Sequence, residues 1–414
     1  MSEIISQTDV EPFQKRLKDV AGNIDSQAIG VLFKLKEAGY DSYIVGGAVR
    51  ELLLGLKPKD FDIATNASPQ QVKKKVSYCF IIGRRFKLVH ARRGDKIFEI
   101  ATYRREATPE ELEGNTPEDL LFVEENFFGN LKEDAFRRDF TINALFYDPI
   151  DKKLIDHCNG LADINSYTIR MIGEPVERIK EDPVRILRAL RLAHKLNFQI
   201  EPGLRKAISE NIDLLERAVL PRRREEWIKL FKLVKIDSLF SELYDLGIFK
   251  VLIPTFQKLF ENETQKENFI SLLRRGRQMD FDTENTVQLY ALIIYCYLLS
   301  LVDHPLKLNL GDYVETADFQ KFLKDEMGVF KAEWMQILSA YQLVYVLIRT
   351  ESYVKKGDRR QRSLLNNENF MLALRLGALS SLLSAKDVVF WNSELERMAA
   401  NPDSDEKSNP ENLN

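Results

Sequence analysis

Cysteine and histidine are scarce in this chain. Three cysteines, Cys79, Cys158 and Cys296, are spread over 414 residues, and four histidines are equally scattered. Such spacing offers no disulfide framework, which suits a reducing compartment, and no zinc set of recognisable pattern. Long apolar runs are also missing. The most apolar stretch, VQLYALIIYCYLLSLV at 287–302, contains Gln288 and is about sixteen residues long. That falls short of a membrane span and suits a buried core helix. The opening MSEIISQTDVEPFQKRL lacks the basic start and apolar core of a secretion signal, so a soluble, cytoplasmic protein without membrane partners is expected. Neither sign of charge dominates: the net charge is −3, with 30% charged and 44% apolar residues. Any binding of nucleic acid must therefore come from local basic patches.

The length allows two or three domains, and no internal repeat is visible. Residues 1–24 read as a polar lead-in. Over 25–150 the signals alternate in type. DSQAIGVLFKLKEAGY carries an N-cap at Asp25 or Ser26 and a stop at Gly39, which predicts a helix. YIV then leads into the Gly46-Gly47 turn, AVRELLL makes two helical turns, and a strand begins at the Asp60-Phe61-Asp62 segment. SPQQVKKKV has Ser68 as cap and Pro69 at the first helical position. From 78 to 104 the pattern is a run of strands with a hairpin at Gly94. This is a mixed α/β domain rather than a regular βαβ array. Residues 105–130 hold eight acidic groups and only Arg105 as a base, the composition of a surface loop. Beyond 150 the pattern turns helical, dividing into a segment at 151–235 and a further one at 236–398. The acidic tail 399–414 has the composition of a disordered segment.

Two carboxylates one residue apart on a strand project from the same face. Asp60 and Asp62 would then repel each other unless divalent cations lie between them. By itself the pair reads equally as a solvated strand edge. Glu99 changes the balance. It lies on KIFEIATYR, where Ile97, Glu99, Ala101 and Tyr103 share one face, and a neighbouring strand would bring it beside the aspartates. Three clustered carboxylates suit two-metal phosphoryl or nucleotidyl transfer. Gly46 and Gly47, between a strand and a helix, can present backbone N–H groups to phosphate, with Arg50 one turn on. Alone, that pair reads first as a bare strand-to-helix turn. EDAFRRDFTINALFYDP reads as a helix on which Asp139 and Asn143, four apart, share a face beside Arg138. An Arg–Asp pair there suits a triphosphate and a ribose hydroxyl, or a plain ion-pair face.

GGAVRELLLG…KDFDIAT, EIATYR, RRDFTINALFYDP, GLADINSYTIRMIGEP and EDPVRILRALRLAHKL, in this order, resemble the class II tRNA nucleotidyltransferase and bacterial poly(A) polymerase family over about residues 28–235. The resemblance implies a DNA polymerase beta-like nucleotidyltransferase head, a mixed sheet with helices, followed by an all-helical neck, body and tail. It implies Mg²⁺ at Asp60 and Asp62 with Glu99 as third catalytic carboxylate. Nucleotide phosphates would lie on Gly46 and Gly47, near Arg50. Arg138, Asp139 and Asn143 would serve the triphosphate and ribose. Glu181, Asp182 and Arg185 match the block that reads the base of the incoming nucleotide without a template. By itself Asp182, before Pro183, also makes a good N-cap. One position departs from the family: Glu51 stands where an Asp is usual.

Two branches share these blocks. One adds adenylates from ATP to RNA 3′ ends; the other completes the CCA end of tRNA. Arg84, Arg85, Phe86, Leu88 and His90 resemble the polymerase branch, so a poly(A) polymerase is expected, with a CCA-adding enzyme as the alternative. Against this, many polymerases end in a basic extension and this chain ends acidic. Candidate RNA contacts are Arg222, Arg223 and Arg224, and the cluster Lys355, Lys356, Arg359, Arg360 and Arg362; solvated surface is the other reading of both. A catalytically silent RNA-binding protein is the alternative from another class, and clustered carboxylates that repel phosphate argue against it.

Overall fold

The computed structural model describes residues 13, 15–19, 21–83, 87–106 and 127–400. Arg84, Arg85 and Phe86, most of the acidic segment, the start of the lead-in and the tail from 401 lie outside them. The chain forms two compact units, one ending at Glu210 and the other starting at Asn211.

In the first unit, helical residues at 15–19 and a 3₁₀ turn at Ala21–Asn23 lead into α1 (Ser26–Glu37), capped by Asp25, whose side chain accepts from Gln27 N at 2.8 Å. Its buried face is Ala28, Val31, Leu32 and Leu35. There follow β1 (Ser42–Val45), α2 (Gly47–Leu53), β2 (Asp62–Thr65) and α3 (Pro69–Lys75), which starts with a reciprocal Ser68–Gln71 capping box. Three strands come next: β3 (Cys79–Ile82), β4 (Leu88–Arg93) and β5 (Lys96–Thr102). After α4 (Leu131–Arg137) the chain adds β6 (Leu145–Asp148) and β7 (Lys153–Asp156). The seven strands make one sheet in the order β3-β4-β5-β2-β1-β6-β7. Only β2 and β5 run parallel; the other neighbours are antiparallel. The sheet thus extends just past the boundary drawn at 150.

Two local expectations need correction. The strand at the Asp-x-Asp pair starts at Asp62, and Asp60 precedes it. The segment 133–149 is not one helix. Helix α4 stops at Arg137, Arg138 is extended, Thr141–Asn143 form a single 3₁₀ turn, and β6 follows. Every residue of β6 is buried and pairs with β1 through Ile44↔Tyr147 and Val45↔Phe146. Ladder bonds and two-sided burial override the helical spacing here. Asp139 and Asn143 therefore do not share a helix face.

The unit is completed by α5 (Gly160–Asn165), β8 (Thr168–Ile169), α6 (Pro175–Glu181), α7 (Val184–Leu196), β9 (Gln199–Ile200) and α8 (Pro202–Glu210). A Cβ on Gly160 would lie 2.2 Å from the Thr141 carbonyl oxygen. Only glycine allows α5 to approach the 3₁₀ turn so closely.

The second unit is helical among its described residues. Its core gathers Phe231, Phe249, Phe256, Phe260 and Phe269 around Phe240, with ring centroids 5.4–6.2 Å from the Phe240 ring. The apolar run forms the buried helix Thr286–Ser300. No helix among the described residues is long and apolar enough to cross a membrane.

Candidate active site

Antiparallel pairing places His90 opposite Glu99, and the parallel register Ile63↔Ile100 sets Asp62 alongside Glu99. His90 Nε2 stands 3.3 Å from Glu99 Oε1. Asp62 responds electrostatically to both Glu99 and Asp60, so the three carboxylates share one neighbourhood. Desolvation, then repulsion from Glu99, pushes Asp62 up to about 6, against a pull downward from Arg138. Asp62 is nevertheless exposed by area: its surroundings desolvate it while leaving an opening through which a ligand can reach it.

The glycine turn adjoins this group. Gly46 has φ +69 and ψ −134, a conformation that side-chain-bearing residues avoid. A Cβ built there would meet Arg138 Nη1 at 3.6 Å and Asp62 Oδ2 at 4.0 Å. Arg138 is held by Asp134 (Nε 3.2 Å, Nη2 2.9 Å), donates to the Asn143 carbonyl at 3.2 Å, and lies 5.0 Å over the Phe146 ring. Its guanidinium is thereby positioned between the glycine turn and the carboxylates.

Arg50 is not directed at solvent. It is buried beneath Gly47, donating to Asn143 Oδ1 and, at 3.2 Å, to Glu51. Burial lowers its pKa against the pull of Glu51, and this arginine supports the turn from below. Asn143 has its side-chain oxygen engaged by Arg50 in turn. Glu51 also accepts from Lys195 Nζ at 2.7 Å. The longer side chain at this position links α2 to α7.

Asp139 is clamped between two arginines. Arg185 Nε donates to Oδ1 at 2.8 Å and Arg188 Nη1 to Oδ2 at 2.6 Å. Burial works to raise its pKa, but Arg188 and Arg185 outweigh it and hold the carboxyl below the usual range. Arg185 also donates to Glu181 at 2.8 Å and to the Arg178 carbonyl. Asp182 is buried and ends α6; Pro183, not Asp182, takes the N-cap position of α7, and the Asp182 carboxylate accepts from Val184 N at 3.2 Å. Arg188, Arg178 and Asp134 were not foreseen from the sequence. Arg188, three residues after Arg185 on one helix, was within reach of the i,i+3 rule.

The basic clusters divide. Arg224 is a structural residue, which removes it from the RNA-contact expectation. It donates to the Gly328 carbonyl at 2.7 Å and to Glu333 at 2.6 Å, and stacks at 4.1 Å on Phe330. Arg223 is half-buried near Asp325, and Arg222 is exposed. Lys355, Arg359 and Arg360 are exposed, whereas Lys356 and Arg362 are partly covered.

Among the described residues, no three Asp, Glu, His or Cys side chains are drawn together tightly enough to form a ready-made metal cage. The donor set still fits a hard cation. Asp60, Asp62 and Glu99 offer oxygen only, and Mg²⁺ characteristically takes one or two carboxylates and completes its shell with water and substrate phosphate.

Comparison with known proteins gives the family. The family model described as "Poly A polymerase head domain" matches residues 42–170, and that described as "Probable RNA and SrmB- binding site of polymerase A" matches 197–260. A CCA-adding enzyme of Lactobacillus johnsonii is 30% identical over 364 residues, covering 83% of this chain and 87% of that protein. The chain belongs to the class II family of poly(A) polymerases and CCA-adding nucleotidyltransferases. Within that family, Poly(A) polymerase I of Salmonella typhi is 42% identical over 241 residues, 58% of this chain and 52% of that protein. The chain thus spans about half the length of this relative. The CCA-adding enzyme of Bacillus stearothermophilus, solved with CTP, superposes with a TM-score of 0.60 at 24% identity, covering 91% of this chain and 82% of that one. That of Thermotoga maritima, solved with tRNA, gives 0.58 at 21%, covering 97% and 87%. These structural matches establish the class II fold: a nucleotidyltransferase head followed by helices.

Proposed function

We propose that this chain is a template-independent RNA nucleotidyltransferase that transfers AMP from ATP to RNA 3′ ends, using Mg²⁺ held by Asp60 and Asp62. The observation that carries the reading is Asp62, crowded by Glu99 and Asp60 and adjoining the glycine turn. A carboxylate pushed up to about 6 by desolvation and like charge suits a cationic partner, and a polyphosphate-bound Mg²⁺ would supply one. When bound, the metal activates the attacking hydroxyl and stabilises the in-line transition state. Glu99 adds the third negative charge and is oriented by His90. The N–H groups of Gly46 and Gly47, with Arg138 beside them, receive the phosphates. Arg185 reads the base after exchanging its bond to Asp139 for one to the nucleotide, and Asp139 becomes available to the ribose.

The polymerase branch is favoured by the 42% identity to the Salmonella protein and by the Arg-Phe-x-Leu-x-His segment. CCA addition is the second reading, favoured by the Lactobacillus relative, whose alignment covers 87% of its length. A four-nucleotide incorporation assay on a tRNA lacking CCA and on a generic oligoribonucleotide decides between them. Runs of adenylate on both acceptors support the polymerase. CTP use that halts once a tRNA end is complete overturns it. No incorporation on either acceptor would leave an RNA-binding protein. Lys355, Lys356, Arg359 and Arg360, with Arg222 and Arg223, are assigned to RNA phosphates. Removing one such contact should lower the salt dependence of binding by about one unit of slope.

A further inference from the structure

The sheet face that carries Glu99 continues past the carboxylates to an apolar surface left open at the β3 edge. Directly paired residues on neighbouring strands share a face. Phe80 pairs with His90, and His90 with Glu99, so the three form one row across β3, β4 and β5. Ile82 pairs with Leu88 in the row on one side, and Arg92 with Ile97 in the row on the other. Phe80 is 61% exposed, Ile97 57%, Ile82 45%, and Tyr78, immediately before β3, 79%. The opposite face is closed: Cys79, Val89, Ala91, Phe98 and Ile100 are buried. An edge strand that turns its large apolar residues outward invites aggregation unless something covers them.

We propose that this face is a stacking platform for the 3′-terminal bases of the RNA acceptor, with Phe80 as its principal contact. Three features select single-stranded RNA. First, the platform is continuous with the row that holds Glu99, where an acceptor hydroxyl must arrive if the nucleotidyltransferase reading above, on which this inference rests, is right. Strand spacing puts Phe80 roughly 10 Å from Glu99, within reach of the last nucleotide or two. Secondly, aromatic side chains on an open sheet face are suited to stacking unpaired bases, and such stacking tolerates any sequence. Thirdly, Arg92 is exposed in the adjoining row, a cation for the backbone phosphate on a face otherwise dominated by Glu99. A base stacked on Phe80 fixes the strand without engaging the carboxylates, so the role is positioning.

The test uses the full chain and an oligoribonucleotide carrying 2-aminopurine at its terminal or penultimate 3′ position. Stacking quenches this base. The wild-type chain should quench it on binding, Phe80→Ala should abolish the quench, and Phe80→Trp should restore it. In steady-state assays Phe80→Ala should raise the half-saturating RNA concentration about tenfold and leave that for ATP in place. Phe80 is exposed, so the substitution leaves folding intact, which thermal melting checks. If the wild type binds and quenches without incorporating nucleotide, the platform stands and the enzyme reading falls. If the wild type incorporates nucleotide and Phe80→Ala quenches and saturates like it, the platform falls. An RNA that does not bind at all overturns both. A Phe80→Ala chain that changes oligomeric mass in sedimentation overturns it too, since a second copy would then cover the face.

Discussion

Around Asp139 the first unit holds Arg185, Arg188, Arg178, Glu181 and Asp182 within one network of ion pairs and carbonyl contacts. Around Phe240 the second unit holds five phenylalanine rings. The first kind of interior is directional. Each guanidinium is aimed by two or more acceptors, and removing one partner strands a desolvated charge. The second kind is non-directional: its strength scales with area and it specifies no orientation for any polar atom. The contrast separates two tasks. The first unit orients charged groups against one another, and the second packs apolar bulk, with Arg224 as a local exception.

The comparison is broken most severely at the carboxylates. Asp62→Ala should abolish nucleotide addition, by at least about a thousandfold, with no loss of melting temperature; unfolding instead would make Asp62 structural. Phe240→Ala is the converse experiment. It should lower the stability of the second unit by about 3–5 kcal/mol, read by denaturant titration, because the surrounding rings cannot close the cavity. A loss under 1 kcal/mol on that scale would mean the cluster is loosely packed.

A smaller effect belongs to Arg185. Its replacement by Ala should narrow the ATP-to-CTP preference by roughly 1–3 kcal/mol, measured as a ratio of kcat/KM values. Equal loss for both nucleotides would confine it to orienting Asp139. The smallest effect concerns pH. Asp62 is raised in the folded chain, so its proton is held more tightly there than when unfolded. Its contribution to stability is therefore present below pH 4 and lost as pH rises toward 6. Such a displacement is worth about 3 kcal/mol in a dry site, and water over this exposed side chain reduces it to roughly 1 kcal/mol. Asp62→Asn should thus melt about 2–4 °C higher than wild type at pH 7.5 and no higher at pH 4. Added Mg²⁺ should close the gap by stabilising the wild type alone.

Much of this was legible in the chain itself. The Asp25 cap, the Ser68-Pro69 start, the Gly39 stop and the Gly94 hairpin are local signals, and each element formed where local chemistry put it. Ordered motifs sufficed for the family, whereas period-two spacing did not place Asp60, which precedes the strand that begins at Asp62. Segment 133–149 was misread because its helical spacing is genuine but weaker than pairing with β1. The pairing partner lies about a hundred residues earlier, beyond any local pattern. Sequence alone offered the two aspartates as company for Glu99 through a neighbouring strand, and the parallel β2–β5 register is what set Asp62 alongside it. Composition counted Arg50, Arg138, Arg185 and Arg224 alike as cations. Tertiary structure alone sorted them, burying Arg50 under a turn, clamping Arg224 against Glu333, setting Arg138 beside Gly46 and turning Arg185 onto Asp139. A guanidinium's role depends on which acceptors lie within about 3 Å of it, and those acceptors are set by the fold.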